Sequence, residues 1–139
     1  MQAASFLNPE TAFRVREEIG TPCYVYDEAS LRSAAAKVSD FPNAFGLTAR
    51  FAMKACPNAN ILRLFKSMGL KIDASSIYEA ERAVAAGFNA SDISLSTQEF
   101  PTDDRLLSLV AKGMSVNACS LNQLERCGML FPNAKVGLR

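Results

Sequence analysis

A strand-like stretch followed by a helix-like one recurs along this chain with a period of about 22 residues. Strand candidates stand at residues 46–53, 70–74, 93–96, 114–118 and 135–139. Between them the helix candidates are 60–68, 76–86, 102–112 and 120–127, with Gly87, Gly113 and Gly128 read as their stops. Glycine suits a helix end because it takes the left-handed backbone without a Cβ clash. The stretch SIYEAERAVAA sets a wet face of Glu79, Glu81 and Arg82 against an apolar one of Ile77, Ala80 and Val84, as an amphipathic helix requires. Four strand–helix units and a fifth strand specify an α/β fold with parallel strands joined by right-handed crossovers. The strands are short and, with helices covering a parallel sheet, are expected not to alternate cleanly.

An open, doubly wound sheet with a nucleotide site should carry a glycine-rich turn after its first strand. No G-x-G-x-x-G or G-x-x-x-x-G-K-[ST] occurs here, which leaves a barrel as the simpler solution. Eight units need about 250 residues, and this chain of 139 reaches the fifth strand. It is therefore expected to be the N-terminal portion of a (β/α)8 barrel. Ahead of the barrel, residues 8–19 read as a helix stopped by Gly20. Residues 23–26 of TPCYVYD read as a short strand, and residues 27–38 as a helix capped by Asp27. Pro42-Asn43 marks a turn. The expected organisation is an N-terminal unit over residues 1–41 and the first half of a barrel over 42–139.

Composition narrows the function by exclusion. With 15 basic and 14 acidic side chains the net charge is +1, so nothing favours nucleic acid or an anionic membrane as partner. The opening MQAASFLNPE lacks a basic-then-apolar leader pattern. The chain holds no histidine, which removes Ser-His-Asp and Cys-His catalysis. Cys23, Cys56, Cys119 and Cys127 form no C-x-x-C pair and read as reduced, semi-buried side chains rather than a metal site.

The lysine in FAMKACPN, Lys54, stands at the end of a strand candidate beside small and apolar residues. Its stem could lie on apolar surface with the amine in water. Alternatively, the amine sits among apolar groups at the C-terminal mouth of a barrel, where catalytic side chains collect, and desolvation would favour the neutral amine that attacks an aldehyde. Asp73 follows a strand and could cap the next helix, as could Ser75 or Ser76. The polar run Ser96 to Glu99 could face the same mouth. Arg139 could be an ordinary strand-end residue, and Arg50 is most simply a solvated charge.

TPCYVYDEASLR, FAMKACPNANILRLFKSMG, IDASSIYEAERAVAAGF, ISLSTQEFP and VNACSLNQLE resemble, in order and spacing, the N-terminal third of the fold-type III pyridoxal-phosphate decarboxylases. The likeness covers residues 21–139 and is nearest to the diaminopimelate decarboxylases. Ornithine- and arginine-type decarboxylases and alanine racemases are more distant. Phe51 stands where tyrosine is more usual, and Cys56 where the motif often has asparagine; neither change removes the amine.

The resemblance implies that Lys54 bonds the aldehyde of pyridoxal 5'-phosphate, that Asp73 lies beside the cofactor pocket, and that Arg139 lies near the cofactor ring. It also implies a separate β domain taking its first strand from residues 23–26, a homodimer, an amino-acid substrate, and a cytoplasmic or plastid location. Groups for the phosphate and the pyridine nitrogen are expected from later strands. A racemase, an ornithine- or arginine-type decarboxylase, or an inactive homologue kept as an assembly subunit are the alternatives.

Overall fold

The computed structural model describes residues 6–139; residues 1–5, the start of the expected 1–41 unit, lie outside them. Two helices open the described chain, α1 (Pro9–Glu18) and α2 (Glu28–Ser39). The repeating part follows as β1 (Arg50–Ala52), α3 (Ala59–Ser67), β2 (Lys71–Ala74), α4 (Ile77–Ala85), β3 (Ile93–Leu95), α5 (Asp104–Ala111), β4 (Ser115–Ala118), α6 (Leu121–Leu130) and β5 (Val136–Leu138). All neighbouring strands are parallel, in the order β1-β2-β3-β4-β5. A doubly wound sheet reverses its strand order at a switch point. This order runs straight through, as the strands of a barrel do. No helix among the described residues is long and apolar enough to cross a membrane.

The repeat is built from repeated end signals. Each of α3, α4 and α5 is followed by a glycine, and the next residue sends its N–H back into the helix: Leu70 to the Phe65 carbonyl, Phe88 to Ala83 and Met114 to Leu109. Gly87 and Gly113 take φ of 107° and 98° there, where a side chain would clash with the backbone. The helix starts repeat as well. Ser76 and Ser120 accept from the N–H of Glu79 and Gln123, while Glu79 and Gln123 reach back to the N–H of Ser75 and Cys119. These are reciprocal caps, S-x-x-E and S-x-x-Q.

Four expectations are corrected by the fold. Gly128 is not a stop: it lies inside α6, which runs to Leu130 and breaks at Phe131, because Pro132 disfavours helical backbone in the residue before it. The first barrel strand is limited to Arg50–Ala52, since only these residues find partners on β2. Residues 23–26 form no strand within this chain. No described strand pairs with them, and Tyr24 is 91% exposed; a strand needs a neighbour to satisfy its backbone. The inner strands do alternate. Ile72, Ala74, Ile93, Leu95, Val116 and Ala118 are buried, the first five of them in the main core, while Asp73, Ser94 and Asn117 at the intervening positions project to the other face.

The main core lies between the sheet and helices α3 to α6, with Leu62, Ile72, Ile93, Leu95, Leu106 and Cys127 fully buried. In α4 the inward positions are Ile77, Ala80 and Ala83. Val84, expected inside, is 40% exposed because the stripe drifts by one position. A smaller cluster of Ala35, Ile61 and Phe65 joins α2 to α3, and Phe51 packs on Phe65 with ring centroids 4.7 Å apart. All four cysteines are free, Cys23 exposed and Cys127 buried. Burial raises the Cys127 thiol above its ordinary pKa.

Candidate functional site

A cleft of about 670 Å³ opens at the C-terminal ends of the strands. Lys54, Ser75, Ser96, Thr97 and Arg139 stand on its wall, and among the described residues Lys54 is the only lysine there. Catalytic groups of barrels gather at this end, and the volume lies within the range of small-molecule pockets.

Lys54 is aimed by the turn that carries it. Directly after β1 the chain makes one turn of 3-10 helix, Met53–Ala55, closed by the Cys56 N–H on the Met53 carbonyl. The turn sends consecutive side chains in different directions. Met53 is fully buried in the core, and Lys54 is exposed on the cleft. Of the two readings of this lysine, the exposed one holds in this chain: the cleft lining mixes Ser75, Ser96 and Thr97 with Ile77, Phe100 and Pro101, and the amine is not enclosed by apolar groups. Beyond the turn, Cys56 Sγ meets the Tyr26 hydroxyl at 3.6 Å. That contact, and then partial burial, raise the tyrosine above its usual pKa.

Asp73 does not border the cleft and caps no helix; Ser76 caps α4 instead. Its carboxylate Oδ1 accepts a 2.9 Å hydrogen bond from Ser96 Oγ, and Ser96 does reach the cleft. Asn117 Nδ2 donates to Ser96 Oγ and to Ser94 Oγ, each at 2.9 Å. Sequence reasoning missed Asn117, although the D, S and N at the centres of KIDA, ISL and SVNA signal a polar face.

Gln123 was also overlooked. It is buried, and its Nε2 donates to the carbonyls of Thr97 and Gln98 at 3.1 and 3.0 Å. The helix-starting glutamine therefore also ties down the loop that walls the cleft. On the same cleft Arg105 bonds Asp103 and lies over the Tyr78 ring. The guanidinium holds the Asp103 carboxyl below its ordinary pKa. Arg50 is exposed, as expected of a solvated charge, and its Nη1 also donates to the carbonyls of Ile72 and Asp92 at 3.3 and 2.9 Å. Beside it, Lys71 pairs with Asp92 at 3.1 Å. These three belong to the opposite, structural end of the strands.

The donor set suits a ligand that carries both an aldehyde and negative charge. The amine of Lys54 and the guanidiniums of Arg105 and Arg139 share one cleft with the carboxylates of Glu99 and Asp103 and the hydroxyls of Ser75, Ser96 and Thr97, and Asp103 is already paired with Arg105. An amine can bond an aldehyde carbon, and an arginine pairs with phosphate or phenolate oxygens.

Comparison with known proteins agrees with this chemistry. Residues 31–139 match the family described as pyridoxal-dependent decarboxylase, pyridoxal binding domain. The chain is 35% identical over 136 residues to the diaminopimelate decarboxylase of Escherichia coli K12, an alignment covering 96% of this chain and 31% of that protein. A crystal structure of a diaminopimelate decarboxylase superposes with a TM-score of 0.75 at 35% identity, over 87% of this chain and 28% of the other. The lysine/ornithine decarboxylase of Vibrio vulnificus, solved with putrescine, shares the fold with a TM-score of 0.78 at 20% identity, over 96% of this chain and 37% of that one. The chain thus spans about a third of the length of the relatives it matches.

Proposed function

Since the chain belongs to the pyridoxal-dependent decarboxylases, through their pyridoxal binding domain, we propose that the full-length protein converts meso-diaminopimelate to L-lysine and carbon dioxide. The observation that carries this reading is Lys54: one amine on a cleft at the C-terminal strand ends, in a chain 35% identical to a diaminopimelate decarboxylase. In this reading Lys54 is the catalytic residue and, with Arg139, binds the cofactor, while Asp73 contributes to the cofactor site from behind Ser96. The 1–41 unit would lend residues 23–26 to a separate β domain, and the active form would be a homodimer.

Pyridoxal phosphate, when bound, is the electron sink that makes loss of a carboxylate feasible. The contributions of this chain are positional. Lys54 Nζ would hold the cofactor at its aldehyde carbon, and must be unprotonated to do so. Arg139 would face its anionic oxygens. Ser96, oriented from below, would present a fixed hydroxyl to the cleft, with the Asp73 carboxylate behind it. Gln123 would keep the Thr97–Gln98 wall in place, so that the substrate is held in one orientation.

The test is turnover by the full-length protein with meso-diaminopimelate, ornithine, arginine and lysine. Carbon dioxide release should be fastest from diaminopimelate and absent in Lys54→Ala. Preference for ornithine or arginine would move the protein to the related decarboxylases. No release from any of them, with no cofactor retained, would favour an assembly subunit.

A further inference from the structure

The bonds among Asp73, Ser96, Asn117 and Ser94 have a direction. An amide nitrogen only donates, and a serine hydroxyl owns a single proton. Ser96 Oγ therefore accepts from Asn117 Nδ2, and its own proton goes to Asp73 Oδ1, each bond 2.9 Å long. The second Asn117 proton goes to Ser94, also at 2.9 Å. Asn117 thus sets the polarity of the whole chain of bonds, and the carboxylate at its end receives a charge-assisted bond. No described buried side-chain nitrogen or oxygen lacks a partner.

Asn117 owes this orientation to its neighbour on β5. Gly137 lies beside it in register, and a Cβ on Gly137 would stand 2.0 Å from Asn117 Oδ1. Real Cβ atoms do not approach that closely, so the amide would have to turn away. The backbone at Gly137 has an ordinary φ. The glycine is needed for room rather than for backbone freedom.

We propose that Asn117 is a positioning residue which, acting through Ser96 and given room by Gly137, fixes the Asp73 carboxylate as a held anion beneath the floor of the cofactor cleft. It touches neither substrate nor cofactor. The inference rests on the reading in which Lys54 holds pyridoxal phosphate. It goes beyond that reading by naming what orients the carboxylate and through which atoms.

The experiment uses the full-length apoprotein titrated with pyridoxal phosphate. It follows the cofactor's absorbance and its circular dichroism, with the melting temperature measured beside them. Asn117→Leu, Gly137→Ala and Ser96→Ala should each weaken cofactor binding roughly tenfold and change the dichroism of the bound cofactor, the loss expected when one charge-assisted bond goes. Ser96→Thr keeps the hydroxyl and should stay within about twofold of wild type. Combined with Asp73→Asn, the Asn117→Leu change should add less than about twofold, because coupled residues are not additive.

A fall in melting temperature with unchanged cofactor affinity and dichroism would overturn the proposal, leaving only a structural bond network. Fully additive losses in the Asp73→Asn background would overturn it too. Should Asn117→Leu not fold, Gly137→Ala, which displaces the same amide, decides in its place, alone and combined with Asp73→Asn. If wild-type protein bonds no cofactor at Lys54, it is the functional reading that fails, and the two failures are told apart by that control.

Discussion

At the scale of the residue, function rests on two neighbours that part company. Met53 is fully buried while Lys54 is exposed on the cleft, so the thioether acts as the anchor that aims the amine. Met53→Ala should lower stability by about 2–5 kcal/mol, as large-to-small core changes do. It should also lower the yield of cofactor covalently trapped at Lys54. Leu106→Ala, equally buried but far along the chain on α5, should cost similar stability and leave that yield near wild type. Denaturant titration beside trapping yield checks this; equal yields in the two variants would deny Met53 the aiming role. The lysine was legible in the sequence because FAMKACPN resembles a known motif. Its exposure was not, since a one-turn 3-10 helix leaves no periodic trace. Asn117 stayed hidden for a related reason: in SVNA it reads as an unremarkable polar residue until the register sets it beside Ser96 and Gly137.

At the scale of the element, the helices were readable from their ends. Asp27 caps α2 as expected, Asn8 caps α1, and the glycines after α3, α4 and α5 end them. The exception is instructive. Gly128 looked like another stop but sits within α6, where its lack of a side chain only weakens the helix. An added Cβ there meets nothing within 4 Å. Gly128→Ala should therefore stabilise the protein by about 0.5–1 kcal/mol, through helix propensity and a less free unfolded chain, readable as a raised melting temperature. Loss of stability would mean that the helix breaks at Gly128 after all. The strands were harder to bound, because a strand's limits depend on which neighbours it finds. Residues 46–48 carry strand-like character but have no ladder, Ala49 gives β2 only its carbonyl, to the Lys71 N–H, and residues 23–26 pair with no described strand.

At the scale of the molecule, sequential parallel order and helices on one side make a sector of a barrel. The α/β class was legible from the repeat, and the barrel from the lack of a glycine-rich turn after the first strand. What the repeat could not give is the chemistry of the two faces. One is apolar and buried under helices; the other carries Asp73, Ser94 and Asn117 and rises to the cleft. The polar network thus ends where Lys54 stands, and fold and chemistry meet at that amine. The most direct measurement is borohydride reduction of the full-length protein with pyridoxal phosphate, followed by peptide mapping. The reduced adduct should fall on Lys54 and vanish in Lys54→Ala. An adduct on Lys66, Lys71 or Lys112 with Lys54 unmodified would contradict the assignment outright.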